Sequence, residues 1–237
     1  MRVHLCGVRG STPAPGSQFL RYGGHTSCVA LAHDDSAPTL ILDTGTGVRL
    51  VPELLGGASF NGAILYSHLH WDHCSGNTIL RGDLVEPAFP RARYYAPRGE
   101  WEHAHERNVR DAVSYLDANY DPLVESGRMT LVEGAYEVLP GIWMRTAPGH
   151  TRDMMVVTAE SAGETFCFLS DLVPTAAHVQ PAWVTAFDLY PLGTIANKTK
   201  WLGAAAAGNW LCGFAHDSVA FARIATDPKK QFTAVVA

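Results

Sequence analysis

The chain has 237 residues, 47% of them hydrophobic and 17% charged. That composition excludes a disordered chain and supplies enough apolar surface for a large core. The formal net charge is −5, and the four lysines (Lys198, Lys200, Lys229 and Lys230) form no basic stripe, so the phosphate-neutralising face that a nucleic acid requires is missing.

No apolar stretch approaches the ~20 residues of a membrane span, and the opening Met1–Gly10 lacks the apolar centre of a secretory signal. Five scattered cysteines (Cys6, Cys28, Cys74, Cys167 and Cys212) show no paired spacing, which predicts free thiols in a reducing cytoplasm. No linker, charge block or low-complexity tract interrupts the chain apart from Ala204–Ala207, so a single domain over residues 1–237 is expected. Short β-rich runs bounded by Gly, Pro or Asp predict strands. The first are Arg2–Gly7, Cys28–Ala32, Thr39–Leu42 and Gly62–Tyr66. Arg93–Tyr95, Met129–Val132, Ile142–Arg145, Met154–Thr158 and Thr165–Leu169 follow, then Leu211–Phe214, Phe221–Ala225 and Gln231–Val236. Helices are predicted at Val48–Leu55, Gly99–Leu116 and Thr194–Ala207, the last closed by Gly208. Grouped strands with intervening helices predict an α/β fold of two sheets covered by helices.

The strongest pattern is Ser67-His68-Leu69-His70-Trp71-Asp72-His73, directly after an apolar run. Three imidazoles and a carboxylate crowded into one short loop suit zinc and similar divalent metals. On extended backbone, residues i and i+2 face the same way, so His68 and His70 can clasp one ion. A turn after Trp71 would carry Asp72 and His73 to a second ion nearby. Three later segments share the context of a strand running into a loop: His150 in Ala147-Pro148-Gly149-His150-Thr151, Asp171 in Leu169-Ser170-Asp171, and His216 in Phe214-Ala215-His216-Asp217. Each alone would more often be structural. Together they suit a site on the rim of a sheet.

The pattern His68-x-His70-x-Asp72-His73, followed by His150, Asp171 and His216, resembles the metallo-β-lactamase-fold hydrolases over nearly the whole chain. The resemblance implies an αββα sandwich, two mixed sheets flanked by helices. It implies that His68, His70 and His150 bind one metal, that Asp72, His73 and His216 bind another, and that Asp171 bridges both. Two divalent ions are the cofactor so implied, with zinc the default and manganese or iron compatible with these ligand types. The opening Gly7-Val8-Arg9-Gly10-Ser11-Thr12-Pro13, with Arg21-Tyr22-Gly23-Gly24-His25-Thr26-Ser27-Cys28, resembles the ribonuclease Z and cyclic-phosphodiesterase branch, with His25 where Asn is commoner. From about Pro90 onward the likeness changes. Ala92-Arg93-Tyr94-Tyr95, Glu100-Trp101-Glu102, Asp117–Leu123 and Asp188-Leu189-Tyr190-Pro191 resemble the lactonase and organophosphate-hydrolase branch. Arg152-Asp153-Met154 stands where that branch commonly has Pro-Gly-His.

By the same resemblance Asp43, in Leu42-Asp43-Thr44-Gly45, orients a ligand histidine; a turn-forming aspartate is the alternative. Tyr190 is a candidate to polarise a substrate carbonyl, with packing the commoner fate of such a tyrosine. Trp101, Tyr120, Trp183 and Phe187 are candidates for an apolar mouth or for ordinary core. His103 and His105 form a second His-x-His, but in a predicted helix they diverge by about 200°, so both are expected to face solvent. Cys74 is expected to be a small buried residue.

The implied site keeps a small positive charge after its carboxylates and a bridging hydroxide offset two divalent ions. Such a site lowers the pKa of bound water to ~7 and stabilises a developing oxyanion. The expected function is a dinuclear hydrolase whose metal-bridging hydroxide attacks lactones or carboxylic esters, with Asp72, Asp171 and Tyr190 as catalytic side chains. Organophosphate hydrolysis is left open as an accompanying activity. A phosphodiesterase of small or cyclic phosphodiesters ranks second. A binding module on a retired site ranks third, because all seven ligand positions are filled. The expected partner is a small-molecule substrate, without nucleic acid or membrane, and a homodimer fits the same reading.

Overall fold

The computed structural model describes residues 1–19, 23–219 and 221–236; Arg21 and Tyr22 of the opening motif lie outside the described residues. The chain divides into two compact units, Met1–Glu133 and Gly134–Ala237.

In the first unit, β1 (Arg2–Gly7), β2 (Cys28–Ala32) and β3 (Leu40–Leu42) form an antiparallel run. A 3-10 turn and the short helix α1 (Val51–Leu54) lead to β4 (Ala63–Leu65). Next come α2 (Trp71–Cys74), a hairpin of β5 (Thr78–Arg81) and β6 (Leu84–Pro87), and β7 (Arg93–Pro97). Helices α3 (Arg98–His105) and α4 (Asp121–Glu125) and strand β8 (Met129–Val132) complete the unit. Its six-stranded sheet has the order β1-β2-β3-β4-β7-β8, and β3, β4, β7 and β8 run parallel. Parallel strands are covered on both faces and so read as unbroken apolar runs; every residue of β3 and β4 is buried. Ile41, Ile64, Tyr66, Tyr94 and Leu123 join one core, where the Tyr66 and Tyr94 rings stack at 6.4 Å.

The helix expected over Gly99–Leu116 stops at His105. Beyond it, local side chains satisfy the main chain in non-helical ways. Asn108 Oδ1 accepts the Arg110 N–H at 2.8 Å, and Asp111 Oδ1 accepts the Asn108 N–H at 3.1 Å. Such short-range bonds compete directly with the helical ladder.

In the second unit, β9 (Tyr136–Leu139), β10 (Ile142–Thr146), β11 (Met155–Ser161), β12 (Glu164–Phe168), β13 (Leu211–Gly213), β14 (Phe221–Asp227) and β15 (Gln231–Val236) form a seven-stranded sheet. Neighbours follow the order β15-β14-β13-β12-β11-β10-β9, antiparallel except for the parallel pair β12 and β13. The crossover joining that pair contains α5 (Pro191–Ala207), which packs on β14. Pro191 suits the first turn of α5, and Gly208 caps its end. Its buried residues, Thr194, Lys198, Trp201, Leu202 and Ala205, recur at helical spacing. Two mixed sheets with helices are the architecture expected from the sequence. No described helix is long and apolar enough to cross a membrane.

Candidate metal centre

In the first unit the ligand candidates lie beyond the carboxyl ends of parallel strands β3 and β4, where α/β sheets place their sites. Past β4, the Tyr66 N–H still bonds to the Tyr95 carbonyl at 2.9 Å. The chain then leaves the sheet and runs to His70, the N-cap of α2, with φ −61° and ψ 144°. The turn expected after Trp71 is α2 itself, and it carries Asp72 and His73. His68, His70, Asp72 and His73 are all buried. The His68 ring centroid lies 4.6 Å from that of His70 and 4.2 Å from that of His73, and His73 Nε2 is 3.7 Å from Asp72 Oδ2.

Asp43 organises this loop. It ends β3 with φ +55°, a left-handed conformation uncommon outside glycine. Its Oδ2 lies 2.6 Å from His73 Nδ1 and accepts the Ser67 hydroxyl at 2.9 Å, while Oδ1 accepts the Ser67 N–H at 2.9 Å. The one hydroxyl proton of Ser67 serves Asp43. Toward His68 Nδ1, 3.0 Å away, the same oxygen is therefore an acceptor. Both imidazoles are held through Nδ1, the arrangement that presents Nε2 to a metal. The Ser11 N–H donates to Asp72 Oδ2 at 3.0 Å, which ties the opening motif to the loop. Gly45 admits the loop: a Cβ there would stand 2.1 Å from the Asp72 carbonyl oxygen. Cys74 is buried as expected; burial pushes its thiol pKa up, and its Sγ–H donates to the His70 carbonyl at 3.3 Å.

In the second unit, register brings three more candidates to one edge. Thr146 pairs with Met155, Val157 with Phe168, and Phe168 with Gly213. The segments leaving β10, β12 and β13 therefore emerge together, and they carry His150, Asp171 and His216. His150 Nε2 is 3.4 Å from Asp171 Oδ2, and His216 Nε2 is 2.9 Å from Asp171 Oδ1. His150 Nδ1 lies 3.0 Å from Asp188 Oδ1, which also accepts the Thr185 hydroxyl at 2.8 Å. Burial works to raise the Asp188 pKa, but the hydrogen bonds from His150 and Thr185 outweigh it, and the carboxyl sits below its ordinary value. Asp188 stands in the lactonase-like Asp188-Leu189-Tyr190-Pro191 stretch, but nothing in the sequence marks it as the partner of His150. Gly149 lets the His150 turn close on α5, since a Cβ there would lie 2.6 Å from the Thr194 N.

The donor set fits divalent cations. His68, His70, Asp72 and His73 come together in one unit, and His150, Asp171 and His216 come together in the other. His68 and His73 in the first and His150 in the second are tethered through Nδ1 beside carboxylates, and buried charge of that kind is stable only when paired or bound to metal. His105, Asp117 and Asp121 also lie within reach of a single ion. There the groups satisfy one another: Arg107 pairs with Asp117, while His105 Nε2 and Trp101 Nε1 each approach Asp121 at 3.1 Å.

Other expectations sort cleanly. His103 does not face solvent: it is buried, with Nε2 2.6 Å from Asp111 Oδ2, because the early end of α3 lets Asp111 fold back. Tyr120 belongs to the first unit's core and Trp101 packs against it. Trp183, Phe187 and Tyr190 are 54%, 71% and 45% exposed. Tyr190 flanks the His150 turn, because its N–H donates to the Gly149 carbonyl and the Leu189 N–H to that of His150.

Comparison with known proteins agrees with this chemistry. The family model of the metallo-beta-lactamase superfamily matches residues 21–204. A 103-residue stretch, 42% of this chain, is 30% identical to an N-acyl homoserine lactonase from a Bacillus species, and it spans 34% of that relative's length. The structure of a probable metal-dependent hydrolase from Staphylococcus aureus superposes with a TM-score of 0.75 at 22% identity, covering 100% of this chain and 96% of the other. A dizinc quorum-quenching lactonase solved with a product bound gives a TM-score of 0.69 at 17% identity, covering 90% and 79%. At such identities these two structures speak for the fold alone. The family match, running through the His68–His73 loop and on past Asp171, makes this chain a member of the metallo-beta-lactamase superfamily.

Proposed function

We propose that the protein is a dinuclear metal-dependent hydrolase of lactones or carboxylic esters. The two ligand clusters serve together in this reading: His68, His70 and His150 at one ion, Asp72, His73 and His216 at the other, and Asp171 at both. What carries the reading is that the candidates are buried except for the half-buried His216, and that His68, His73 and His150 are tethered through Nδ1 to Ser67, Asp43 and Asp188. When bound, divalent ions such as zinc lower the pKa of water to ~7 and polarise a carbonyl. The chain's own side chains do the rest. Asp43 and Asp188 fix the imidazoles. Asp72 and Asp171 offset cationic charge and offer oxygens for the proton that water gives up. The exposed Tyr190 hydroxyl donates to the carbonyl oxygen as negative charge develops there. Trp183 and Phe187 give apolar cover to an acyl or aryl group. The stretch similar to N-acyl homoserine lactonases supports the choice of substrate class.

One observation favours a second reading, hydrolysis of small or cyclic phosphodiesters: Ser11, in the phosphodiesterase-like opening, bonds to Asp72. The test is kcat/KM for a lactone, an aryl ester and a bis-aryl phosphate at equal metal loading. The lactone or ester should lead. A phosphodiester preference beyond tenfold, worth ~1.4 kcal/mol in transition-state binding, overturns the ester reading in favour of the second.

A further inference from the structure

Lys198 sits in the buried stripe of α5, between Thr194 and Trp201, where an apolar residue is the rule. Its side chain is 1% exposed. An ammonium has donors and no acceptor, and burying one is tolerated only when those donors are met. Lys198 Nζ donates to the Gln180 carbonyl at 2.8 Å and to the Trp183 carbonyl at 2.7 Å. Both carbonyls belong to the segment between the 3-10 turn Ala176–Val179 and α5, which contains neither helix nor strand. The far end of that segment is bound to the ligand turn. Asp188 Oδ1 is 3.0 Å from His150 Nδ1, and the N–H groups of Leu189 and Tyr190 donate to the His150 and Gly149 carbonyls at 3.1 and 2.9 Å. The segment thus has two fastenings, and the exposed Trp183 and Phe187 lie on it.

We propose that Lys198 is a positioning residue: it fixes the Gln180–Tyr190 segment, and so sets the apolar surface offered to a substrate beside His150. The substrate half rests on the hydrolase reading above; the fastening does not.

Lys198→Met keeps the apolar stem and removes every donor. Hydrogen exchange is read first, without substrate. The amides of Trp183, Leu189 and Tyr190 should exchange about tenfold faster in the variant, while those of β11 and β12 stay within about twofold. KM is then read for esters with short and long acyl chains. It should rise about tenfold for the long chain and much less for the short one, with kcat changed by less than about threefold. Lys198→Arg, which returns donors, should recover part of both effects; Lys198→Gln serves as the second variant if the methionine protein does not fold. Unchanged exchange over 183–190, or an equal acceleration across the whole sheet, would overturn the fastening. Faster exchange with KM shifted equally for both esters would overturn the link to substrate. A wild-type protein inactive on all esters and lactones would instead sink the hydrolase reading, and exchange alone would still decide the fastening.

Discussion

Asp43 and Asp171 carry the same functional group in two different positions. Asp171 lies within 3.4 Å of two imidazole Nε2 atoms, the nitrogens that would face a metal in the proposed centre; Asp43 touches the Nδ1 side of His73. Asp43→Ala should therefore reduce kcat/KM by ~10–100-fold, the usual loss when a ligand's partner is removed. Asp171→Ala should lose far more, and retention of most activity on every substrate would refute its role. His103 gives a prediction about stability instead. Asp111→Ala leaves a buried imidazole without its carboxylate, a loss of about 1–3 kcal/mol, which urea denaturation would detect as a lower midpoint at unchanged slope. The seven ligand candidates were legible in the sequence because four are neighbours in the chain and three end predicted strands. Ser67, Asp188 and Lys198 were not, since their roles come from partners that folding supplies.

Elements were readable where burial is complete. β2, β3 and β4 are buried throughout and were visible as apolar runs. The β5–β6 hairpin was not, because Leu80 and Leu84 lie on its exposed surface and no inward face marks the period. The end of α3 was missed because Asn108 and Asp111 bond locally. Helix α5 was placed almost fully, yet its buried stripe hides a titrating group. Burial lowers the Lys198 pKa from its ordinary 10.5 to about 8, against the opposing pull of Asp188; His178, on the preceding turn, is itself lowered by burial and by Lys198. Below about 8, both folded and unfolded chains hold the proton, and the penalty for burying it is fully present. Between about 8 and 10.5 the unfolded chain holds more protons than the folded one, so this group adds stability as pH rises. Denaturation of the wild type and Lys198→Met across that window should show the wild type gaining on the variant. A gap that narrows or stays flat would contradict the lowered pKa.

For the molecule as a whole, the proposed division of seven ligand candidates into three, three and one bridge predicts two metal ions per chain. Elemental analysis of metal-replete protein should find both, and chelation should abolish hydrolysis, with activity returning on adding zinc, manganese or iron. One tightly bound ion at most would count heavily against the assignment. The fold class could be read from the sequence because most strands of the two large sheets stand out as short β-rich runs separated by helical stretches. The division into Met1–Glu133 and Gly134–Ala237 left no mark, since no change of composition or flexible stretch falls at residue 133.

The parallel ladder between β12 and β13 also governs the order of assembly. After Phe168 the chain must leave the sheet and return at Leu211 before those strands can pair. Asp171, Trp183, Asp188, Tyr190 and Lys198 all ride on that excursion. Loop closure spends entropy before any contact rewards it, so such a pairing forms slowly. On the ribosome, a chain that has emerged only to Trp210 already displays β12 with one edge bare, a template for association with other chains. A truncation at Trp210 should accordingly be insoluble, whereas a chain reaching past β15 should be soluble, and sedimentation of the two after expression would separate these outcomes.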